Sequence, residues 1–142
     1  MTIIIISSDS YARGRQVAAD TAKALGYLCL DREILKAVGT KYGVSEVKLC
    51  KALDERPSLL GVSSRTQPLY LAYIEEAVLA KLSQGKVVCH GLAAHLYVLG
   101  VSHVLKVRIL ADPQERIDKV IKVKNVSREQ AIKILKISED HT

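Results

Sequence analysis

The sequence predicts an α/β fold of three layers, in which a mostly parallel sheet of four to five strands lies between helices. The first observation is the run of isoleucines Ile3–Ile6, because an unbroken β-branched run is typical of a parallel strand buried on both faces. The second is that short apolar runs alternate with helical patterns long enough to connect parallel strands. The third is the placement of helix caps and glycines at the ends of those patterns.

The N-terminal part of the chain contains two predicted strands and the helix between them. We expect the first strand at Ile3–Ser7 and the second at Tyr27–Leu30. Apolar residues at helical spacing predict a helix that begins near Gly14. It is expected to end at Gly26, since glycine readily adopts the left-handed backbone that closes many helices.

Three helices are predicted in the middle of the chain. Asp31 and Ser45 are suitable N-caps for the first two, and Gly43 lies just past the expected end of the first. The third helix, Pro68–Ser83, is apolar nearly all round, so we expect it to be well buried. The stretch Arg56–Thr66 contains proline, glycine and several hydroxyl residues, and it predicts a loop.

The C-terminal half contains two more predicted strands and a short helix between them. The strands are expected at Lys86–His90 and His103–Leu110, and the helix at Ala93–Leu99. Cys89 lies in the middle of an apolar strand and is predicted to be a core residue. His90 and His95 are too few for a metal site and are assigned structural roles.

Two further helices are predicted near the C-terminus from capping residues alone. Asp112 precedes Pro113, with Glu115 three residues after the aspartate, which is the arrangement of a capping box. Ser127 and Gln130 form a second capping box, and Asn125 is expected to end the helix before it.

Composition places the chain among ordinary globular proteins. It has 142 residues, 49% of them hydrophobic and 25% charged, which predicts a single domain over residues 1–142. No apolar run approaches the roughly 20 residues of a membrane span, and no secretory signal is recognisable. The three cysteines are few, odd in number and widely spaced, so we expect reduced thiols and a cytoplasmic location.

The net charge of +6 predicts an anionic ligand or partner without identifying it. Ligands of open parallel sheets bind beyond the carboxyl ends of the strands. The segment after the first strand brings a helix N-terminus to that edge, with Arg13 and Arg15 beside it. Two arginines there oppose the helix dipole unless an anion lies between them. Of the Walker phosphate-loop pattern, only Gly14 matches.

Six segments of the chain follow one another in a recognisable order: SSDSYARGRQVA, ALGY, LDREIL, VVCHGLAAH, ADPQERIDKV and NVSREQA. In this order they resemble the cytidylate kinase-like branch of the P-loop nucleoside monophosphate kinases. Members of that family show, at the corresponding places, SREFGSGGREIA, LGY, YDRELI, VGRGAD, ADLEFRIERV and GLSEEEA. The resemblance extends through nearly the whole chain and implies the P-loop NTPase-like version of the predicted fold.

The resemblance also implies roles for individual residues. A nucleotide or another phosphate would bind at the first loop, and an active enzyme would use ATP and Mg²⁺; no metal site built from the protein alone is expected. The residues implied are, for donor-phosphate binding, Asp9, Arg13, Gly14, Arg15 and Gln16; for phosphoryl transfer, Arg15, Arg116 and Lys119; and for the acceptor, Asp31 and Arg32.

Several departures from the family weaken the case for catalysis. Tyr11 and Arg13 replace glycines of the loop, and Leu92 replaces an arginine and His95 an acid. We also expect no counterpart of the family's last strand within these 142 residues. We therefore expect a kinase-derived binding module with weak or no phosphoryl transfer. The alternatives are an active nucleoside monophosphate kinase and, from charge alone, a nucleic-acid-binding domain. We also expect a homo-oligomer, because an unpaired sheet edge favours association.

Overall fold

The computed structural model describes residues 2–54 and 65–139. Their contacts divide the chain into two compact units, Met1–Ile109 and Leu110–Thr142. The first unit contains a sheet of four parallel strands: β1 (Ile3–Ser8), β2 (Leu28–Leu30), β3 (Val87–His90) and β4 (Val104–Ile109). The order of the strands across the sheet is β2-β3-β1-β4, with every neighbouring pair parallel.

Both faces of the sheet are covered by helices, which confirms the predicted three-layer α/β architecture. Helix α1 (Tyr11–Leu25) packs on one face and the other helices of the first unit pack on the opposite face. Those helices are α2 (Ile34–Tyr42), α3 (Glu46–Asp54), α4 (Gln67–Leu82) and α5 (Ala94–Tyr97).

The isoleucine run of β1 lies at the centre of this arrangement. Ile3 and Ile5 pack against the face that carries α2 to α5, whereas Ile4 and Ile6 pack against α1. All four side chains are buried, because successive side chains of a strand point to opposite faces. The interpretation of the run as a strand buried on both faces is confirmed.

Most predicted elements are found within a few residues of their expected bounds. Gly26 and Gly43 end α1 and α2 in left-handed conformations, as expected. Ser45 accepts a bond from Lys48 N–H at the start of α3. Asp31 accepts from Glu33 N–H at 2.9 Å, but α2 itself begins only at Ile34, so Asp31 lies two residues before its N-cap. The predicted loop at 56–66 falls mostly outside the described residues.

The expectation that the long helix would be well buried is wrong. Ile74, Val78 and Leu82 of α4 are buried, but Leu69 and Leu79 on other faces are 49% and 38% exposed. Helices α2, α3 and α5 pack against α4 and leave its other faces exposed. Its apolar composition therefore does not translate into complete burial.

The second unit contains α6 (Pro113–Lys124) and α7 (Arg128–Glu139), which pack against each other. Asp112 accepts from Gln114 N–H at 2.8 Å and caps α6. Ser127 and Gln130 bond each other's backbone N–H groups at 3.1 and 3.2 Å, so the predicted capping box is present. Asn125 ends α6 in a left-handed conformation, as expected.

Candidate functional site

The carboxyl ends of β1, β2 and β3 bring together polar side chains from distant parts of the sequence. Ser8 ends β1, Asp31 and Arg32 follow β2, and His90 ends β3. The N-terminus of α1 lies at the same edge, because α1 follows β1 after only two residues. This edge is where ligands of open parallel sheets bind, and it is the location that the sequence predicted.

Helix α1 begins at Tyr11, three residues earlier than the sequence indicated. The Gly14 N–H group donates to the Ser10 carbonyl at 3.0 Å, so Gly14 belongs to a helical turn and not to the start of the helix. Tyr11, Ala12 and Arg13 occupy positions where the resembled family has glycine, serine and glycine. Glycine disfavours a helix by about 1 kcal/mol relative to alanine, so replacing the two glycines extends the helix to Tyr11.

Gly14 is buried between Ser8 and His90 and permits close packing there. A methyl group at this position would overlap with Ser8 Oγ and His90 Nε2. The glycine therefore lets the helix approach the ends of β1 and β3. This close packing explains why the position is glycine.

Ser8 and His90 form a part-buried hydrogen-bonded pair at this contact. Ser8 Oγ donates to the Ser10 carbonyl at 2.7 Å and lies 3.1 Å from His90 Nε2. The Ser8 hydroxyl proton is used in the bond to the Ser10 carbonyl. We therefore assign a proton to His90 Nε2, which donates to Ser8 Oγ. His90 is 2% exposed, and its Nδ1 has no hydrogen-bond partner among the described residues. Burial lowers the pKa of His90, with Arg32 and Arg15 acting in the same direction.

Arg15 is bound to two carboxylates of the same chain. Its Nε lies 2.8 Å from Asp31 Oδ2 and its Nη2 lies 2.6 Å from Glu33 Oε1. The Asp31 side chain is 11% exposed, whereas that of Glu33 is 81% exposed. The cation that the sequence assigned to a phosphate is thus neutralised within the protein, by one sheltered and one exposed partner.

Arg32, assigned to an acceptor, is also bound within the chain. It donates to both carboxylate oxygens of Asp54 in α3, at 2.5 and 3.3 Å. Its guanidinium lies 4.8 Å from the centre of the Tyr11 ring, within the range of a cation–π contact. The centres of the Tyr11 and His90 rings are 5.1 Å apart. Tyr11 therefore packs between a histidine and an arginine at the edge of the sheet.

The remaining residues assigned to the donor phosphates lie on the same segment. Gln16 donates to Asp20 at 3.0 Å along the exposed surface of α1. Asp9 is exposed, and its N–H group donates to the Ile109 carbonyl of β4 at 3.4 Å. Arg13 is exposed on the first turn of α1. The structure gathers all five of these residues near one edge, but it places four of them inside helix α1 rather than in a loop.

The turn after β3 has a left-handed backbone at Gly91, Leu92 and Ala93, with φ of 70°, 59° and 55°. Non-glycine residues in this conformation cost about 1–2 kcal/mol each. Leu92 is 2% exposed and packs in the core. The position that carries an arginine in the resembled family thus contributes to packing here, which offsets the cost of the backbone conformation.

Cys89 and His95 take no part in these contacts, and two of the three residues assigned to phosphoryl transfer belong to the second unit. Cys89 is fully buried, and burial raises its pKa to about 12, which confirms its prediction as a core residue. His95 is exposed on α5. Arg116 and Lys119 lie on α6 in the second unit.

Sequence reasoning missed four contributors to the site: Ser8, Glu33, Asp54 and the unpartnered nitrogen of His90. The only signal for them was position, since Ser8 and His90 end strands at the expected ligand edge. The described residues contain no group of three or more His, Cys, Asp or Glu side chains that could hold a metal ion. None of the described helices is both long enough and apolar enough to cross a membrane.

In the comparison with family models, one family matches nearly the whole chain. The model of the cytidylate kinase-like family matches residues 3–142. Among solved structures, an uncharacterized protein from Eubacterium ventriosum ATCC 27560 has 15% identity and a TM-score of 0.48, over 99% of this chain and 73% of its own. The protein TT1252 from Thermus thermophilus has 20% identity and a TM-score of 0.38, over 92% and 76%. No curated protein matches the chain.

Proposed function

The chain belongs to the cytidylate kinase-like family, and on this premise we propose that it is a binding module for a nucleotide or another phosphate, with weak or no phosphoryl transfer. The observation that carries the proposal is the start of α1 at Tyr11. Residues 11–13 form a helical turn where a kinase needs a flexible loop around the donor phosphates.

Binding of an anion at this edge is supported by the N-terminus of α1. The first N–H groups of an α-helix have no acceptor within the helix, and Ser10 makes no side-chain cap bond to them. The first turn also contains no acidic residue. A phosphate there would accept these bonds and interact favourably with the positive end of the helix dipole.

A second support is the polar interior next to that helix end. His90 Nδ1 is buried without a partner among the described residues, and an unpaired buried acceptor costs free energy. A protonated phosphate oxygen, or a ribose hydroxyl, could donate to it. Asp31 and Arg32 at the end of β2 would then lie beside the rest of the ligand.

Efficient transfer is not supported, because three requirements of a kinase are compromised. The loop is helical, Arg15 is held by Asp31 and Glu33, and Leu92 is buried where a charged side chain would be needed. Removing a single charge-stabilising donor typically lowers the rate on the order of a hundredfold. Arg116 and Lys119, the other two residues assigned to transfer, belong to the second unit.

The alternative is an active nucleoside monophosphate kinase that uses ATP with Mg²⁺ as the phosphoryl donor. Only family membership favours this alternative. Nucleic-acid binding rests on the net charge of +6 alone. A reducing, cytoplasmic location is part of the proposal, and the three free cysteines support it.

The proposal is tested by binding and transfer measured on the same preparation. Calorimetric titration with ATP, CMP and inorganic phosphate should give heat of binding for at least one, and Arg15→Ala should weaken it. Lys23→Ala, which removes a cation from the other end of α1, is the control. Transfer from ATP and Mg²⁺ to CMP or dCMP should stay far below about 1 per second. Absence of any binding, or turnover in the usual kinase range, would contradict the proposal.

A further inference from the structure

The aromatic ring of Tyr11 lies among the groups that the proposed function assigns to the ligand. The centre of the ring is 5.1 Å from the centre of the His90 ring and 4.8 Å from the carbon of the Arg32 guanidinium. Tyr11 is also the first residue of α1, so the ring lies next to the N–H groups that would bind a phosphate. It therefore fills space between the start of α1, the end of β3 and the residue that follows β2.

Two nitrogen atoms beside the ring are buried without a hydrogen-bond partner. Among the described residues, neither His90 Nδ1 nor Arg32 Nε has one, and His90 is 2% exposed. The histidine nitrogen is an acceptor in the tautomer assigned above, and the arginine nitrogen is a donor. Leaving buried polar atoms unpaired costs free energy. An unpaired acceptor and an unpaired donor next to one ring of carbon atoms indicate a polar site that the ring covers.

The two neighbours of the ring are held in place by other bonds. Arg32 donates to both carboxylate oxygens of Asp54, and His90 Nε2 lies 3.1 Å from Ser8 Oγ. Tyr11 itself is 39% exposed. Burial raises the pKa of its hydroxyl, and a backbone hydrogen bond with Arg32 opposes this shift. A bulky ligand must therefore displace Tyr11 and break its contacts with Arg32, because the neighbouring side chains are fixed.

We infer that Tyr11 determines the ligand specificity of the site: with its ring in place, the site accepts compact phosphate groups such as inorganic phosphate and excludes nucleotides. This selectivity rests on the proposed function, because it requires that an anion binds at the start of α1. The first turn of α1 is open to solvent at Ala12 and Arg13, so a compact phosphate reaches its N–H groups while the ring stays in place. A nucleotide also needs space for its ribose and base, and Tyr11 fills that space.

The opposite role for Tyr11 would be a platform on which the base of a nucleotide stacks. Stacking of this kind needs an open ring face. Here the Arg32 guanidinium lies over the Tyr11 ring, and the His90 ring contacts it at an angle of 44°. These contacts favour exclusion of the base. The two roles predict opposite effects when the ring is removed.

The test compares inorganic phosphate with CMP and AMP on the full chain by titration calorimetry. Tyr11→Ala should raise the affinity for both nucleotides by about tenfold relative to the affinity for inorganic phosphate. Tyr11→Phe keeps the ring and should behave like the unaltered chain. Val17→Ala removes exposed apolar atoms from α1 at a distance from its first turn, and it should leave the ratio of affinities unchanged.

A second measurement follows the ring itself in the unaltered sequence. When 3-fluorotyrosine replaces tyrosine, the fluorine signal of Tyr11 is the one that is absent from Tyr11→Phe. We expect inorganic phosphate to change this signal little, and a high concentration of CMP to move it toward its position in the unfolded chain.

Two results would overturn the assignment of this role to Tyr11. One is a lower nucleotide affinity in Tyr11→Ala, as stacking requires, or an unchanged ratio of affinities. The other is CMP binding to the unaltered chain more tightly than inorganic phosphate while the Tyr11 signal stays in place. If neither the unaltered chain nor Tyr11→Ala binds phosphate or nucleotide, the proposed function itself is wrong, and the role of Tyr11 with it.

Discussion

Arg15 and Asp31 form an ion pair that joins α1 to the end of β2, with Arg15 Nε 2.8 Å from Asp31 Oδ2. The two residues are separated by 16 positions in the sequence. Side-chain bonding to Asp31 and the charge of Asp31 raise the pKa of Arg15. An anionic ligand must therefore compete with carboxylates of the protein itself for this guanidinium.

The competition predicts that Glu33→Gln strengthens anion binding. Glu33 is the exposed partner of Arg15, and its removal leaves more of the guanidinium available while Asp31 still holds the side chain in place. We expect about a two- to fivefold higher affinity for inorganic phosphate at low ionic strength, and a smaller effect at high salt. Titration calorimetry measures it.

Glu46→Gln is the matched control, because Glu46 is an exposed acid at the start of α3, whereas the ion-pair partners of Arg15 are Asp31 and Glu33. Combining Glu33→Gln with Arg15→Ala should remove the gain. If Glu33→Gln and Glu46→Gln change the affinity equally, the effect is one of net charge and competition at Arg15 is refuted.

Gly14→Ala should destabilise the protein even though alanine favours helices. The added methyl overlaps with Ser8 and with the buried His90, and overpacking of this kind costs about 1–3 kcal/mol. The gain in helix propensity of about 1 kcal/mol offsets only part of it. Urea denaturation should show a lower midpoint.

The Ser8→Gly background separates crowding from other causes. Removal of the Ser8 side chain makes room for the methyl group, so Gly14→Ala should cost less there than in the unaltered chain. Equal costs in the two backgrounds would show that the contact between Gly14 and Ser8 is not responsible.

Stability should fall as the pH is lowered below about 6.5. Burial lowers the pKa of His90 in the folded protein, so between the folded and unfolded pKa values only the unfolded chain binds the proton. The contribution of neutral His90 is fully present above the unfolded pKa and is lost as the pH falls through the folded one. His95 acts in the same direction, because its pKa is also lowered.

Urea denaturation at pH 7.5 and 5.5 measures this dependence. His90→Gln should reduce the difference in stability between the two pH values, whereas replacement of the exposed His103 by Gln should not. A difference that is unchanged in His90→Gln would assign the acid sensitivity to other groups.

Self-association remains a prediction, and the structure indicates which edge would carry it. The exposed cations Lys106 and Arg108 on β4 would repel those of a second copy paired there. Strand β2 lies at the other edge of the sheet, and its Leu28 side chain is 47% exposed. We expect a dimer in sedimentation at micromolar concentration that Leu28→Lys dissociates. A monomer at that concentration, or a dimer insensitive to the substitution, would contradict this assignment.

Local features of the sequence were sufficient to predict many elements. The Asp112 cap and the Ser127–Gln130 box involve residues within three positions of each other, so their geometry depends only on neighbours in the chain. The apolar run of β1 similarly favoured a strand buried on both faces, because the run is short and β-branched and such a strand removes all four isoleucines from water. The order of strands and helices followed from such signals.

The sequence by itself thus determined the α/β class, the strands and the edge of the sheet at which polar residues gather. Only the tertiary structure decided the chemistry of that edge. Arg15 meets Asp31 and Glu33, and Ser8 meets His90 across 82 positions of sequence. Those contacts, and the start of α1 at Tyr11, depend on how closely separate elements pack. Distances between elements arise from the packing of the whole core, which no local pattern of residues encodes.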